Sequence, residues 1–325
     1  MFFWRKQGGP DVSVLRSPAG HKLKHAGGGL RCTGTGSQYP IVDGAMLIYD
    51  ADDVPDSLKS EANWFDGFVD AIIKPDMANP AEVHYAKAKA LNCDFLLSAL
   101  TYDDPQKRRV VELGAWRCET IGQFADAGWQ AYAVDFYHGV MNLVAADRIG
   151  KPFNRVSSPM SVLPFRDGSI DILYMHATLH HALPRRSAEF EWCNPHNMHD
   201  ALCEARRVLK PDGALFLLGE GVYPEGLPID ERYHEKAAQA GETPYESWYT
   251  MSEYEGAFRK AGIFPSLMSN QTHLVLELHT YDNGQRVDLI TPADAITVNN
   301  YGSIPDLLRQ APSLHRILPP WMRVN

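Results

Sequence analysis

The chain has no apolar run approaching the about 20 residues that a membrane helix needs, so no membrane partner is expected. It also has no surplus of basic residues. Its 31 Lys and Arg stand against 40 Asp and Glu, a formal charge of −9 at pH 7. A sequence-independent grip on nucleic acid needs a basic surface; this balance argues against one, though not against a small local basic patch. Cysteine is sparse. Cys32, Cys93, Cys118, Cys193 and Cys203 are an odd, scattered set without a CxxC pair, which argues against a disulfide framework and for a reducing, cytoplasmic setting. The opening MFFWRKQGGP lacks the apolar core and small-residue cleavage site of a secretory leader. Internal repeats and low-complexity tracts are absent. What remains is ordinary for a globular protein, and 325 residues suit one large domain with a small one beside it.

Residues 108–220 alternate strand and helix. Strands are expected near 109–113, 131–135, 154–157, 170–175 and 214–219, and helices near 118–128, 138–148 and 197–209. That rhythm predicts an α/β fold with a parallel sheet covered on both faces. Before it, SLKSEANWFDGFVDAII places Trp64, Phe65, Phe68, Ile72 and Ile73 close to helical spacing, and residues 81–100 repeat the pattern. After it, MSEYEGAFRKAG (251–262) reads as a helix with a glycine stop, and HLVLELHTY (273–281) as a late antiparallel strand. A short proline-ended helix is expected in the tail.

The most informative stretch is RRVVELGAWRCETIGQFADAGWQAYAVD (108–135). It reads as a strand closed by Glu112, a tight turn at Gly114, a helix, and a second strand closed by Asp135. Ligands of open α/β sheets sit at the carboxyl ends of strands, where strand order reverses. A carboxylate there, with two oxygens, can accept both hydroxyls of a ribose. The spacing alone also fits a dinucleotide enzyme, but GxGxxG is absent.

Two later phrases, LPFRDGSID (163–171) and EARRVLKPDGALFLLGE (204–220), come after it in order. With them the segment resembles the class I S-adenosylmethionine-dependent methyltransferases of the type 11-like group. The resemblance implies a Rossmann-like fold, a mostly parallel seven-stranded sheet with helices on both faces. It also implies S-adenosylmethionine as cofactor. Glu112 would anchor the methionine amino group, Gly114, Ala115 and Trp116 would form the turn beside it, and Asp135 and Phe136 would meet the ribose. Met160 would meet the adenine, and His176 would lie near the methyl group. The chain departs from the family in its first turn, GAWRC, where Trp116 and Cys118 replace glycines, and at Pro159, where an acid near the adenine is usual. Glu112 has a plainer reading as the cap of the following helix.

After the fourth strand comes MHATLHHALP, with His176, His180 and His181, and after the fifth comes Glu220, then Tyr223. Histidine takes a proton from a hydroxyl near neutral pH. His181 or His180 is therefore the candidate base and Glu220 a group orienting a substrate; an LHH phrase at this place also serves helix-start hydrogen bonding. His196 and His199 bring the local count to five histidines, but no HExxH or acid cluster accompanies them and no metal is expected. In the long loop 182–200, Arg185 and Arg186 could meet an anionic substrate and Phe190 or Trp192 could stack on a ring or sugar; a surface loop with solvated arginines is the plainer reading, and the loop 222–250 is expected to cover the same mouth.

Near the start, GLRCTGTGSQYPIVDGAMLIYD resembles the end of a small zinc ribbon, on the phrase YPIVDGAML (39–47). The family's four thiolate places are Ser17, Gly20, Cys32 and Thr35 here, so the ribbon is read as having lost its metal and standing on docking to the main domain. The expected organisation is 1–55 ribbon-like, 56–107 helical cap, 108–282 methyltransferase domain and 283–325 extension. The expected activity is methylation of a small molecule, a sugar or secondary metabolite, at oxygen with a histidine base. The alternative is a catalytically eroded methyltransferase-fold module that partners another protein. A homodimer or a partner chain fits either. RNA methylation is disfavoured by the charge and by the lack of an NPPY-like motif after strand four.

Overall fold

The computed structural model describes residues 11–66, 93, 96–97, 104–147, 150–185, 194–218, 220, 222–223, 226, 228, 247, 249–263, 278–282 and 285–289. The expected alternation is present. Strands β6 (Arg109–Leu113), β7 (Gln130–Val134), β8 (Asn154–Ser157), β9 (Ile170–His176) and β10 (Leu209–Leu218) lie parallel. Helices α2 (Glu119–Asp126), α3 (His138–Asp147) and α4 (His199–Val208) connect or flank them.

These strands hold together by alternation. Val110, Ala131, Ala133, Ile172 and Tyr174 pack with Ile121 and Phe124 of α2. Val111, Leu113, Tyr132, Val134, Leu173 and Met175 pack on the other side, with Leu202 and Ala205 of α4. Neighbours in sequence thus point to opposite faces, and both faces are apolar, as a parallel sheet requires.

The sheet has seven strands in the order β10-β9-β6-β7-β8-β5-β4. Its last two strands correct the expectation drawn from the chain's end. They are β4 (Ile41–Val42) and β5 (Ala45–Leu47), a hairpin whose Asp43–Gly44 turn has φ of 49° and 92°. Asp-Gly is the pair that a tight two-residue hairpin turn favours. β5 then runs parallel to β8, with Met46 opposite Val156. The expected late strand does not join. Leu278–Asp282 pairs instead with Gln285–Leu289 in a separate antiparallel ribbon; residues 273–277 lie outside the described residues. Most of the helix expected at 81–100 also lies outside them, as do Phe68, Ile72, Ile73 and the tail 290–325; α1 (Asp56–Asp66) opens the expected helical cap.

Residues 11–50 do more than extend an edge. β1 (Leu23–Ala26), β2 (Gly29–Cys32) and β3 (Gln38–Tyr39) form a small antiparallel sheet. Leu15, Leu30, Met46 and Ile48 are buried in the same cluster as Leu113 and Tyr132. Each such side chain stabilises the fold by about 2 kcal/mol. Residues 14–16 run beside the LPF loop: Leu15 bridges Phe165, Arg16 N–H donates to Pro164, and Arg166 N–H donates to Val14. The four places of the ribbon resemblance meet through hydrogen bonds. Cys32 Sγ lies 3.4 Å from Ser17 Oγ, Thr35 N–H donates to Cys32 Sγ at 3.3 Å, and Gly20 N–H donates to Ser17 at 2.8 Å.

The two later motifs belong together for a mechanical reason. Arg207, from EARRV, donates to the carbonyls of Leu163 and Phe165 at 2.7 Å each, and to Glu204 and Asp167. Glu204 in turn accepts the Leu163 N–H at 2.7 Å. At the opposite ends of the strands, Asp171 gathers Lys210, Arg108 and the Arg109 N–H. Burial pushes the Asp171 carboxyl up, and these three donors more than reverse it, leaving it below the usual range. Arg207→Ala should lower the unfolding free energy by about 3 kcal/mol in urea titrations, because it strands two carbonyls and a carboxylate. Asp167→Ala, at a side chain 69% exposed, should cost under about 1 kcal/mol.

Candidate functional site

β6 lies inside the sheet between β7 and β9, so strand order reverses beside it, and the carboxyl ends of these strands are where open α/β sheets hold ligands. The turn that leaves β6 is the abnormal GAWRC. Its backbone is nevertheless left-handed at alternate residues: φ is 68° at Gly114, 47° at Trp116 and 57° at Cys118. These are the positions where the resembling family has glycine. A non-glycine residue there costs about 1–2 kcal/mol, so the surroundings must hold the shape.

Asp135 does much of that. Its Oδ2 accepts the Trp116 N–H at 3.0 Å and its Oδ1 the Tyr137 N–H at 2.9 Å, so one carboxylate ties the turn after β6 to the turn after β7. Val134 adds its carbonyl, accepting from Gly114 and Ala115 at 2.9 and 3.1 Å. Burial pushes the Asp135 carboxyl up to about 6; the two N–H donors oppose this, Glu61 adds to it, and His181 opposes it.

Glu112 is fully buried, and its Oε2 accepts the N–H of Ile121 at 3.0 Å, in the first turn of α2. The capping geometry anticipated for this acid is therefore present. Phe136 packs at a tilt against Tyr49, with ring centroids 5.3 Å apart, and its carbonyl accepts from Ser157 Oγ. Met160 is half-buried against the core.

The turn after β9 is also left-handed, at Ala177 (φ 47°). His176 is buried at the strand's end. Glu220 organises the residues after it: its Oε1 accepts the N–H groups of Thr178 and Leu179 at 2.7 and 2.6 Å, and its Oε2 lies 2.8 Å from His180 Nδ1 and 3.4 Å from the Tyr254 hydroxyl. Burial pushes the Glu220 carboxyl up, but His180 and the two backbone donors hold it below its ordinary value. Glu220 and His180 thus brace the turn.

His181 points elsewhere. Its Nδ1 lies 2.8 Å from Oε1 of Glu61, a buried acid of α1, and its side chain is 24% exposed against 8% for His180. Sequence reasoning missed Glu61, since a single acid within SLKSEANWF carries no signal of a partner 120 residues away. It also missed Asp53, which holds Arg185 through Nε at 2.8 Å and Nη2 at 2.7 Å. The Arg185 guanidinium is paired with Asp53, and its backbone N–H donates to Asp200 Oδ2 at 2.9 Å. Arg186, Phe190, Trp192 and most of 222–250 lie outside the described residues, as does the side chain of Tyr223. His196 and His199 stack at 5.8 Å, and among the described residues no group of three or more His, Cys, Asp or Glu is placed to hold a metal ion. Among them, too, no helix is long and apolar enough to cross a membrane.

Residues 111–217 match the family model described as methyltransferase domain, and this segment is a methyltransferase domain of the type that the motifs indicated. No curated protein matches the chain in sequence. Among solved structures, the chain is similar to the YcgJ protein of Bacillus subtilis, at 20% identity over 54% of this chain and 68% of that one, with a TM-score of 0.41. The complex of the Haloferax volcanii Trm112 methyltransferase activator with its methyltransferase aligns at 18% identity, over 58% and 80% of the two chains, with a TM-score of 0.40. Haemonchus contortus phosphoethanolamine N-methyltransferase 2, solved with S-adenosyl-L-methionine, aligns at 15% identity over 53% and 36%, with a TM-score of 0.40.

The turn itself can be tested by its glycines. A Cβ at Gly114 would overlap the Thr178 side chain and sit in a left-handed conformation. Gly114→Ala should therefore destabilise the protein by more than about 2 kcal/mol in chemical denaturation. Trp116→Gly relieves a left-handed residue and should be neutral to within about 1 kcal/mol.

Proposed function

We propose that the domain binds S-adenosylmethionine at the carboxyl ends of β6 and β7 and methylates a hydroxyl of a small molecule, a sugar or secondary metabolite. One observation carries this reading: the left-handed rhythm at 114, 116 and 118 persists without its glycines and is tied to Asp135. A chain with no use for the turn has no reason to keep strained residues in that shape. The residues suit the cofactor. Each Asp135 oxygen accepts one backbone N–H, and a carboxylate oxygen accepts about two such bonds, which leaves capacity for ribose hydroxyls. Ala115 and Trp116 line the turn beside it, with Phe136 on the far side of Asp135. Glu112 supports the helix after the turn, His176 ends β9, and Met160 follows the end of β8.

Bound there, the cofactor would supply a methyl group on a positively charged sulfur. The protein's tasks are to align an acceptor and receive its proton. Of the histidines, His181 fits the second task, because His180 is absorbed in the Glu220 brace. A structural module that has lost catalysis is the competing reading, and it predicts no cofactor affinity.

Calorimetry with S-adenosylhomocysteine, followed by a methyl-transfer screen against hydroxylated small molecules, tests the proposal. Micromolar affinity at pH 7.5 is expected, and Asp135→Ala should abolish it. Ribose hydroxyls donate to an ionised carboxylate. Since Asp135 takes up its proton near pH 6, affinity should be level above that and fall by up to about tenfold per unit below it. His181→Ala should cut kcat by about 10²–10⁴-fold while leaving cofactor affinity within about threefold. A folded protein that binds neither S-adenosylmethionine nor its product overturns the reading.

A further inference from the structure

We propose that Glu61 is a positioning residue of this site, which sets the proton of His181 on Nδ1 and so makes Nε2 the basic nitrogen. The proposal rests on the reading above, in which His181 receives the acceptor's proton, and adds a residue from outside the methyltransferase segment.

The geometry is specific. Glu61 lies in α1, which precedes the five strands β6 to β10 in the chain, and its carboxylate reaches the turn after β9. Glu61 is 4% exposed. A buried carboxylate is costly unless it is paired and hydrogen-bonded, and here the 2.8 Å contact to His181 Nδ1 supplies a pair. A carboxylate only accepts hydrogen bonds, so the proton in this contact belongs to the imidazole nitrogen. The lone pair then lies on Nε2. The proton of an acceptor O–H can pass to Nε2, and the resulting imidazolium faces the Glu61 charge. Afterwards the proton leaves from Nε2 to solvent, and the neutral tautomer is restored.

The neighbouring groups fit this division of roles. His180 and His181 are adjacent, with ring centroids 4.3 Å apart, and each has a carboxylate on Nδ1. Glu220 also accepts two backbone N–H groups, so its pair with His180 belongs to the frame of the turn. No backbone donor to Glu61 is found among the described residues; its contact there is His181. The charge of Glu61 also acts on Asp135. A single buried acid from α1 therefore touches both halves of the proposed site, the base directly and the ribose acid through its field.

Nitrogen-15 NMR of histidine-labelled protein reads the tautomer of His181 without any turnover. In the wild type the proton should reside on Nδ1. Glu61→Leu, apolar and similar in size, should move it to Nε2 in most molecules; Glu61→Gln, which keeps one oxygen, serves if the leucine variant does not fold, and should give a mixture. With an acceptor found, kcat should fall by about 10²-fold, with the acceptor KM within about threefold. S-adenosylhomocysteine affinity should hold or tighten, because Asp135 loses a negative neighbour. A His181 tautomer unchanged in both variants overturns the proposal, and so does a parallel loss of affinity, kcat and stability, which marks a purely structural acid. If the wild type transfers no methyl group to any acceptor, the proposed function fails, while the tautomer shift still decides whether Glu61 sets the proton.

Discussion

A parallel sheet has no face that it can leave wet, and the architecture answers to that constraint. Helix α2 and the Met141 side chain of α3 cover one face. The other is shared by α4 and by the N-terminal segment, whose Leu15, Leu30 and Met46 reach the same core as Leu113 and Tyr132. Residues 11–50 are therefore structural partners of the sheet, paired to its edge through β5 and β8 and to the LPF loop through Leu15. The sheet is covered on both faces, and the carboxyl ends of its strands gather Asp135, His176 and His181.

At those ends, carboxylates do the organising. Asp135 joins two turns, Glu112 caps α2, Glu220 frames the turn after β9, and Glu61 meets His181. Buried acids are costly when alone, and each of these has donors that match it. The same bonds explain how GAWRC keeps a glycine-like path: the N–H of Trp116 is held by Asp135, which offsets part of its left-handed cost.

Much of this was legible in the sequence. The five parallel strands fall within a residue or two of the expected spans, except that β10 starts earlier, at Leu209, with an irregularity before Ala214. Periodicity and turn residues carry that information locally. The helix-capping reading of Glu112 and the turn-bracing reading of LHH were also open in the sequence, and the geometry contains both. What was not legible depends on contacts between distant segments. Nothing in YPIVDGAML says that it pairs with β8, and HLVLELHTY reads as a sheet strand although Leu278–Asp282 pairs with its own neighbour. Glu61 and Asp53 have no local pattern that names His181 or Arg185. The left-handed angles at Trp116 and Cys118 run against residue preference, and only the tertiary bonds around them account for their persistence.

The central claim is that the turn at residues 112–121, glycine-poor as it is, still forms a cofactor site with Asp135. Hydrogen exchange of the folded protein, with and without S-adenosylhomocysteine, tests it at the residues concerned. The account predicts slower exchange confined to the amides of 112–121 and 135–137, and loss of that protection in Asp135→Ala. Unchanged exchange at a saturating concentration, or protection located elsewhere in the chain, would contradict it.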